Sequence, residues 1–211
     1  MIVAALWRYP VKSLRGESLE SASLLADGLA GDRLASVQGP NGQLTALTKH
    51  ALLGLQGGIG PAGEPLVEGD PWEGEAAALA IREAAGEDAR LVTNAAGARF
   101  HDEAPILVAT DGALSVIGAD RRRFRANVVV TGVEGVAEAG WIGRALRMGE
   151  VRLRVASRCE RCLMTTIDPD TLELDPGVLR RVRAELEASM GVYCEVVEPG
   201  QIAVGDPVEL V

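Results

Sequence analysis

The chain has 211 residues, of which 47% are hydrophobic and 24% are charged, a balance typical of a folded globular protein. The formal net charge of −9 argues against general binding to nucleic acid or to an anionic membrane surface. No apolar run has the length of a membrane span or a secretory signal, and three cysteines do not make a disulfide framework, so we expect a cytoplasmic protein.

Short β-type runs separated by glycine-rich turns dominate the chain. Gly149-Glu150 is typical of a hairpin turn between Ala145–Met148 and the following strand. In chain order, the runs predict strands at Ile2–Leu6, Leu19–Leu25, Leu34–Gln38, Arg90–Thr93, Pro105–Ala109, Phe124–Val130, Val151–Ala156, Gly191–Val197 and Pro207–Val211.

Three segments predict helices. Glu75–Ala85 is rich in good helix formers, Asp111–Ile117 fits a short helix, and Pro176–Met190 follows a capping Asp175. The Gly- and Pro-rich stretch Gly54–Gly74 indicates a loop. The order of elements predicts an α+β protein that is mainly β, with a soft boundary near residues 94–98.

Cys159 and Cys162 form a C-x-x-C that allows several interpretations. A redox dithiol would need a helix opening at the first cysteine, whereas this pair follows a strand. A zinc site would need two more soft ligands, and only Cys194 and two histidines remain. Two buried structural cysteines are a third interpretation. Arg161 beside Cys162 favours a thiolate that could ligate a metal, which is a fourth.

Two further segments could bind an anion. If Phe124–Val130 is a strand, Arg123, Arg125 and Asn127 share one face, where arginine could bind phosphate and asparagine the edge of a heterocycle; a solvated basic patch is the alternative. Lys12-Ser13 after the first strand fits an anion-binding loop, although such a lysine is often merely exposed, and an inward Arg33 would need a partner.

Together these motifs resemble the MOSC family, named after the C-terminal domain of molybdenum cofactor sulfurase. The shared segments are Tyr9-Pro10-Val11-Lys12-Ser13, Gly31-Asp32-Arg33, Arg123-Phe124-Arg125-x-Asn127, Arg161-Cys162-x-x-Thr165-Thr166-x-Asp168-Pro169-Asp170-Thr171 and Val204-Gly205-Asp206-Pro207-Val208. The chain is most similar to the branch of amidoxime-reducing components and their bacterial relatives. The resemblance implies a MOSC-type β-barrel with a few peripheral helices, divided into an N-terminal β-barrel region at 1–95 and a MOSC domain at 96–211.

The resemblance also implies a molybdenum–molybdopterin cofactor, with Cys162 as the catalytic residue and metal ligand. At family level it further brings an expectation of pyridoxal phosphate binding. Asp102 and Thr110 lie in matching segments without an assigned role, and the chain has Ala126 and Leu172 where the family often has Pro and Gly. The residues expected to bind the cofactor are Lys12, Ser13, Arg33, Arg125, Asn127, Arg161, Thr166 and Tyr193.

The implied activity is that of a molybdenum-dependent oxidoreductase that reduces N-hydroxylated or related N–O and S–O compounds by oxygen-atom transfer. The expected partners are a small N-oxygenated substrate and a separate ferredoxin- or flavin-type electron-transfer protein, without nucleic acid or membrane. One alternative is a carrier of the cofactor, or of sulfur as a persulfide on Cys162. Another is a β-rich binding module whose site has decayed.

Overall fold

The computed structural model describes residues 1–94 and 99–211. Residues 95–98 lie outside this description, and so does the boundary expected near 94–98. The strands, numbered β1 to β17 in chain order, are Ile2–Arg8, Glu17–Leu19, Ser21–Leu25, Gly28–Leu29, Ala35–Gly39, Gly42–Leu44, Gly57–Ile59, Pro65–Val67, Asp70–Pro71, Arg90–Thr93, Ile106–Thr110, Val128–Thr131, Ala145–Met148, Val151–Glu160, Ser189–Glu198, Gly200–Ala203 and Val208–Leu210. The α-helices, α1 to α3, are Glu75–Ala85, Asp111–Ile117 and Pro176–Glu185.

A curled eight-stranded sheet, half of a barrel, organises the molecule. Its strand order is β17-β13-β14-β15-β11-β12-β1-β2, antiparallel except where β11 lies parallel to β12. Three small sheets flank it: β10-β5-β6, β16-β3-β4 and β7-β8-β9. The predicted class, α+β and mainly β with peripheral helices, is confirmed.

The two largest buried apolar clusters of the described residues stabilise these sheets. The larger core collects side chains from both ends of the chain, including Leu6, Leu153 and Val208, because β1 pairs with β12 and the C-terminal strand pairs with β13. The smaller core packs Ile81 of α1 against Val11 and Val37. The first two strands therefore share one sheet with residues from the second half of the chain, and the division at 95/96 stays a prediction.

The expected strand Leu19–Leu25 is divided at Glu20 between β2 and β3, which belong to different sheets. Three further expected elements are corrected by the structure. The predicted loop Gly54–Gly74 contains the short strands β7, β8 and β9, which are too brief to show hydrophobic alternation in the sequence. The third helix ends at Glu185 instead of Met190, because Glu187 and Ala188 take positive φ angles of 50° and 66° and turn the chain into β15.

The third correction concerns Phe124–Val130, which is not one strand. Arg121–Phe124 form a 3-10 turn whose first N–H groups are capped by the Asp120 carboxylate, which accepts from the backbone N–H of Arg122 at 2.8 Å. Arg125 then takes a left-handed backbone with φ of 52°, and the strand begins only at Val128. Arg123, Arg125 and Asn127 therefore do not share a strand face, although all three reach the cavity described below.

Within the two described ranges, no helix combines the length and the apolar character needed to cross a bilayer.

Candidate functional site

A cavity of about 320 Å³ opens beside the end of β14. Its walls come from the loop after β1, the segment before β11, the turn before β12 and the chain around Cys162. Eight of the nine residues expected at a cofactor site line it: Lys12, Ser13, Arg33, Arg125, Asn127, Arg161, Cys162 and Tyr193. Thr166 does not. The fold thus brings into one place residues that are up to 181 positions apart (12 to 193) in the sequence.

Asp32 organises the N-terminal wall of the cavity. Its buried carboxylate accepts the backbone N–H of Tyr9 at 2.6 Å and forms an ion pair with Arg33. Burial alone would lower the pKa of Arg33, but the neighbouring carboxylate outweighs it and raises that pKa above its ordinary value. Arg33 also donates to the side-chain oxygen of Asn127 at 3.4 Å. This pair therefore keeps a buried guanidinium charged at the cavity.

Asn127 ties the cavity to the large sheet. Its side-chain oxygen accepts the backbone N–H of Leu107 at 3.2 Å, and its amide nitrogen donates to the carbonyl of Trp7 at 3.3 Å. These bonds link the residue to β11 and β1. Asn127 lines the cavity, but these bonds make it first of all a brace between two strands.

Arg125 is half-buried and has no carboxylate partner among the described residues. Its guanidinium donates to the carbonyl of Leu14 at 2.7 Å and lies 4.3 Å from the centre of the Tyr9 ring. Burial lowers the pKa of Arg125 to about 10 and, from the same cause, raises the pKa of Tyr9 to about 12. At neutral pH the protein therefore holds an uncompensated positive charge here.

Arg161 is a second such cation. One terminal nitrogen donates to the sulfur of Cys159 at 3.1 Å, and the other donates to the carbonyl of Phe124 at 2.8 Å. The guanidinium carbon lies 5.3 Å from the centre of the Phe124 ring, and no carboxylate within the two described ranges pairs with it. Two cations without counter-ions at one cavity favour an anionic ligand.

Lys12 and Ser13 complete the positive wall. The Lys12 ammonium lies 2.7 Å from the carboxylate of Asp102, a residue to which the sequence assigned no role. Burial would raise the pKa of Asp102, but the hydrogen bond from Lys12 prevails and lowers it. Ser13 is buried and takes a positive φ of 74°. The ion pair joins the N-terminal loop to the segment that leads into β11.

Left-handed backbone is concentrated at this wall. Within residues 1–94 and 99–211, seven residues other than glycine have positive φ, and Ser13, Arg33 and Arg125 are three of them. Such conformations cost about 1 to 3 kcal/mol each and persist where surrounding structure enforces them, commonly at binding sites. The three outliers are therefore independent support for a ligand site at these positions.

Cys162 lies at the mouth of the cavity. It is exposed and precedes the 3-10 turn Leu163–Thr166, and its carbonyl accepts the N–H and the hydroxyl of Thr165 at 3.2 and 3.0 Å. Its thiol forms no hydrogen bond in the part of the chain that is described. Cys159, by contrast, is buried. The backbone of Cys162 is thus held by the turn that follows it, and its thiol is left free to bind a ligand.

Thr166 has a different place from the one expected. Its hydroxyl donates to the carbonyl of Leu163 at 2.7 Å, and its carbonyl accepts from Arg123 at 2.8 Å. Arg123 also forms an ion pair with Asp168 at 2.6 Å. The Asp168 carboxylate in turn accepts the N–H groups of Asp170 and Thr171, and these bonds close a tight turn. Leu172, where the family often has glycine, has φ of 62°.

The sequence did not single out several residues of this cavity. Arg123 was grouped with a strand, although its position within the basic run was a usable signal. Most of the others lie singly in separate segments and carry no spacing signal, whereas Phe124 and Thr165 lie within the motif segments quoted above without a role of their own. The cavity is also lined by Thr45, Leu47, His101, Ala104, Leu107, Phe124, Glu160, Met164 and Thr165.

The side chains of the cavity fit a metal that is bound mainly by a cofactor and needs few ligands from the protein. In the described part of the chain, no group of three or more His, Cys, Asp or Glu side chains could hold a metal ion. A bare zinc site is therefore not supported there. One free thiol beside two unpaired guanidinium groups suits a phosphorylated cofactor whose metal needs a single soft ligand from the protein.

Comparison with known proteins supports the mainly β fold described above. A family model described as "MOSC domain" matches residues 98–209, more than half of the chain, and one described as "MOSC N-terminal beta barrel domain" matches residues 1–56. The YUAD protein from Bacillus subtilis has a similar structure, with a TM-score of 0.54 and 14% identity over 99% of this chain and 94% of that chain.

Curated relatives match about half of the chain. It is 31% identical over 128 residues to mitochondrial amidoxime reducing component 2 of Homo sapiens, a match that covers 52% of this chain and 38% of the relative. It is 30% identical over 136 residues to mitochondrial amidoxime-reducing component 1 of Homo sapiens, covering 53% of this chain and 38% of the relative. The matched segment is well under two thirds of either relative's length.

Proposed function

Because the chain belongs to the MOSC-domain family, we propose that its cavity binds a molybdenum–molybdopterin cofactor and that the protein reduces N-hydroxylated or related N–O and S–O compounds. One observation carries the proposal: the exposed thiol of Cys162 shares a cavity with two arginines, Arg125 and Arg161, that have no carboxylate partner in the described chain.

The chain's own residues would divide the work. Cys162 would supply the protein ligand to the metal, since sulfur suits a soft or high-valent site. Arg125 and Arg161 would offset the phosphate charge, with Lys12 and Arg33 nearby but partly neutralised by Asp102 and Asp32. Tyr193 and Ser13, which also line the cavity, would contact the cofactor.

When bound, the cofactor would supply oxygen-atom transfer, with two electrons coming from a separate ferredoxin- or flavin-type reductase. The protein's part is to keep the site positive and partly shielded from water. Burial of Arg125 strengthens its interaction with an anion relative to the same contact in water.

The test is metal analysis of protein produced in a host that makes the cofactor. We expect wild-type protein to carry close to one molybdenum per chain and Cys162→Ser to lose most of it, with reduction of a hydroxylamine or amidoxime by a reduced viologen dye falling in parallel. Cys194→Ser is the control, because Cys194 is buried in the larger core, away from the cavity. Wild-type protein without molybdenum would reject the proposal.

A sulfur carrier is the second candidate, favoured by the exposure of Cys162 and its lack of a hydrogen-bond partner among the described residues. It predicts that intact mass spectrometry finds the added mass of one sulfur atom on wild-type protein. This mass would be absent in Cys162→Ser, and reductase activity would be absent in both.

A further inference from the structure

Cys159 is the one cysteine of the C-x-x-C that the proposed function leaves unused. It lies near the end of β14, has 1% of its surface exposed, and still lines the same cavity as Cys162. Its neighbours in the cavity wall include Arg161 and Tyr193. Burial raises the pKa of the Tyr193 phenol above its ordinary value.

The sulfur of Cys159 is a hydrogen-bond acceptor for Arg161. The guanidinium N–H donates to it at 3.1 Å, while the thiol donates weakly to the carbonyl of Glu160 at 3.8 Å. The other terminal nitrogen of Arg161 is held by the carbonyl of Phe124, and its Nε is buried without a partner in the described residues. Two contacts, one of them to sulfur, therefore fix the guanidinium.

We propose that Cys159 is a positioning residue, whose sulfur holds the Arg161 guanidinium toward the cavity without cancelling its charge. A carboxylate at this place would form an ion pair and remove the positive charge that an anionic ligand needs. A thiol accepts the N–H and leaves the charge available. This inference rests on the proposed function, because the anion concerned is the phosphorylated cofactor.

Cys159 and Cys162 are both free thiols in the structure. The strand runs to Glu160, the N–H of Arg161 continues the pairing by donating to the carbonyl of Ala188 at 2.8 Å, and Cys162 is extended with φ of −108° and ψ of −176°. Three residues of fully extended chain span at most about 10 Å, and a disulfide needs Cα atoms within about 7 Å, so an extended backbone between the two cysteines opposes the bond.

The rival explanation is packing, and two substitutions separate it from positioning. Cys159 touches an apolar cluster that includes Ala126 and Leu107. If the side chain only fills space, Cys159→Val should be tolerated better than Cys159→Ser. If the sulfur positions Arg161, Cys159→Ser should retain function better, because a hydroxyl can accept the N–H and a valine cannot.

The measurement is the rate at which molybdenum is lost during dialysis of protein purified with its cofactor, followed by metal analysis. We expect loss to be about tenfold faster in Cys159→Val, and within about threefold of wild type in Cys159→Ser, since a hydrogen bond to a charged group contributes on this order. Cys159→Ala should behave like the valine variant, and it serves instead if valine prevents folding.

Cys194→Ser and Cys194→Val are the matched controls, since Cys194 is equally buried but lies in the larger core. We expect both to lose molybdenum at the wild-type rate, whatever their thermal stability. The inference is overturned if Cys159→Val retains molybdenum like wild type, or if Cys159→Ser loses it as fast as Cys159→Val. Wild-type protein without molybdenum would instead reject the proposed function itself.

Discussion

Asp32 shows how a single carboxylate sets the conformation of a binding wall. It is 2% exposed, holds the N–H of Tyr9, and neutralises Arg33, whose backbone has a positive φ of 50°. A buried ion pair contributes little net stability, yet removing one partner leaves an unpaired buried charge. Asp32 is therefore needed to balance the charge of Arg33 at this wall.

Replacing Asp32 by Asn should lower the free energy of unfolding by about 3 kcal/mol at neutral pH, because Arg33 would stay buried without a counter-charge. Urea denaturation followed by circular dichroism measures this change. Glu195→Gln is the control: Glu195 pairs with Arg154 on the exposed face of β15, where loss of a pair costs less than about 1 kcal/mol. Equal effects of the two substitutions would contradict the role given to Asp32.

Helix α2 depends on a buried acid. Thr110 precedes the helix, its hydroxyl oxygen accepts the N–H of Ala113 at 3.2 Å, and the same hydroxyl donates to the carboxylate of Glu138 at 3.0 Å. Glu138 is 3% exposed, and burial raises the pKa of its carboxyl above the ordinary 4.5. The protonated form is thus favoured by the folded chain more than by the unfolded chain.

The raised pKa of Glu138 determines whether the folded protein gains or loses stability as the pH rises. A raised pKa contributes stability that is fully present below the unfolded value near 4.5 and is lost as pH rises through the higher folded value. Glu138→Gln should therefore be more stable than wild type at pH 8 and closer to it at pH 5, by urea denaturation at both values. Exposed Glu134→Gln should show no such trend, and a larger gain at pH 5 than at pH 8 would contradict the assignment.

The cavity belongs to the whole molecule, because neither half of the chain builds it alone. Lys12 and Arg33 come from the first 33 residues, whereas Arg125, Arg161 and Cys162 come from the second half. The pairing of β1 with β12 brings the two sets together. The chain has a net charge of −9, so this concentration of cations is a local feature that the overall composition hides.

Lys12→Gln should weaken retention of the cofactor without much effect on the free energy of unfolding. Its pair with Asp102 is largely exposed on the Asp102 side, so the free energy of unfolding should change by less than about 1 kcal/mol. Loss of a cation beside the phosphate should speed the release of molybdenum on dialysis about fivefold. Lys49→Gln, outside the cavity, is the control; release at the wild-type rate in Lys12→Gln would count against the proposed phosphate contact.

The local chemistry of the chain was sufficient for some elements and not for others. The helix-forming composition of Glu75–Ala85 predicted α1, and Asp111–Ile117 was predicted as a short helix, both with their observed bounds, because short-range propensities decide these helices. The basic run around Arg123 was assigned to a strand. The structure has no strand there, because the Asp120 carboxylate accepts the N–H of Arg122 and Arg125 takes a left-handed backbone. The alternation of residues encodes neither feature.

The sequence by itself therefore determined the mainly β α+β class, the family resemblance and the residue types of the site. Only the tertiary structure decided which of them meet. In the structure Cys162 is exposed and Cys159 is buried, and the carbonyl of Thr166 accepts a hydrogen bond from Arg123. Arg125 and Arg161 have no carboxylate partner in the described chain. The physical reason is that burial and charge pairing arise between residues distant in sequence, where spacing along the chain carries no information.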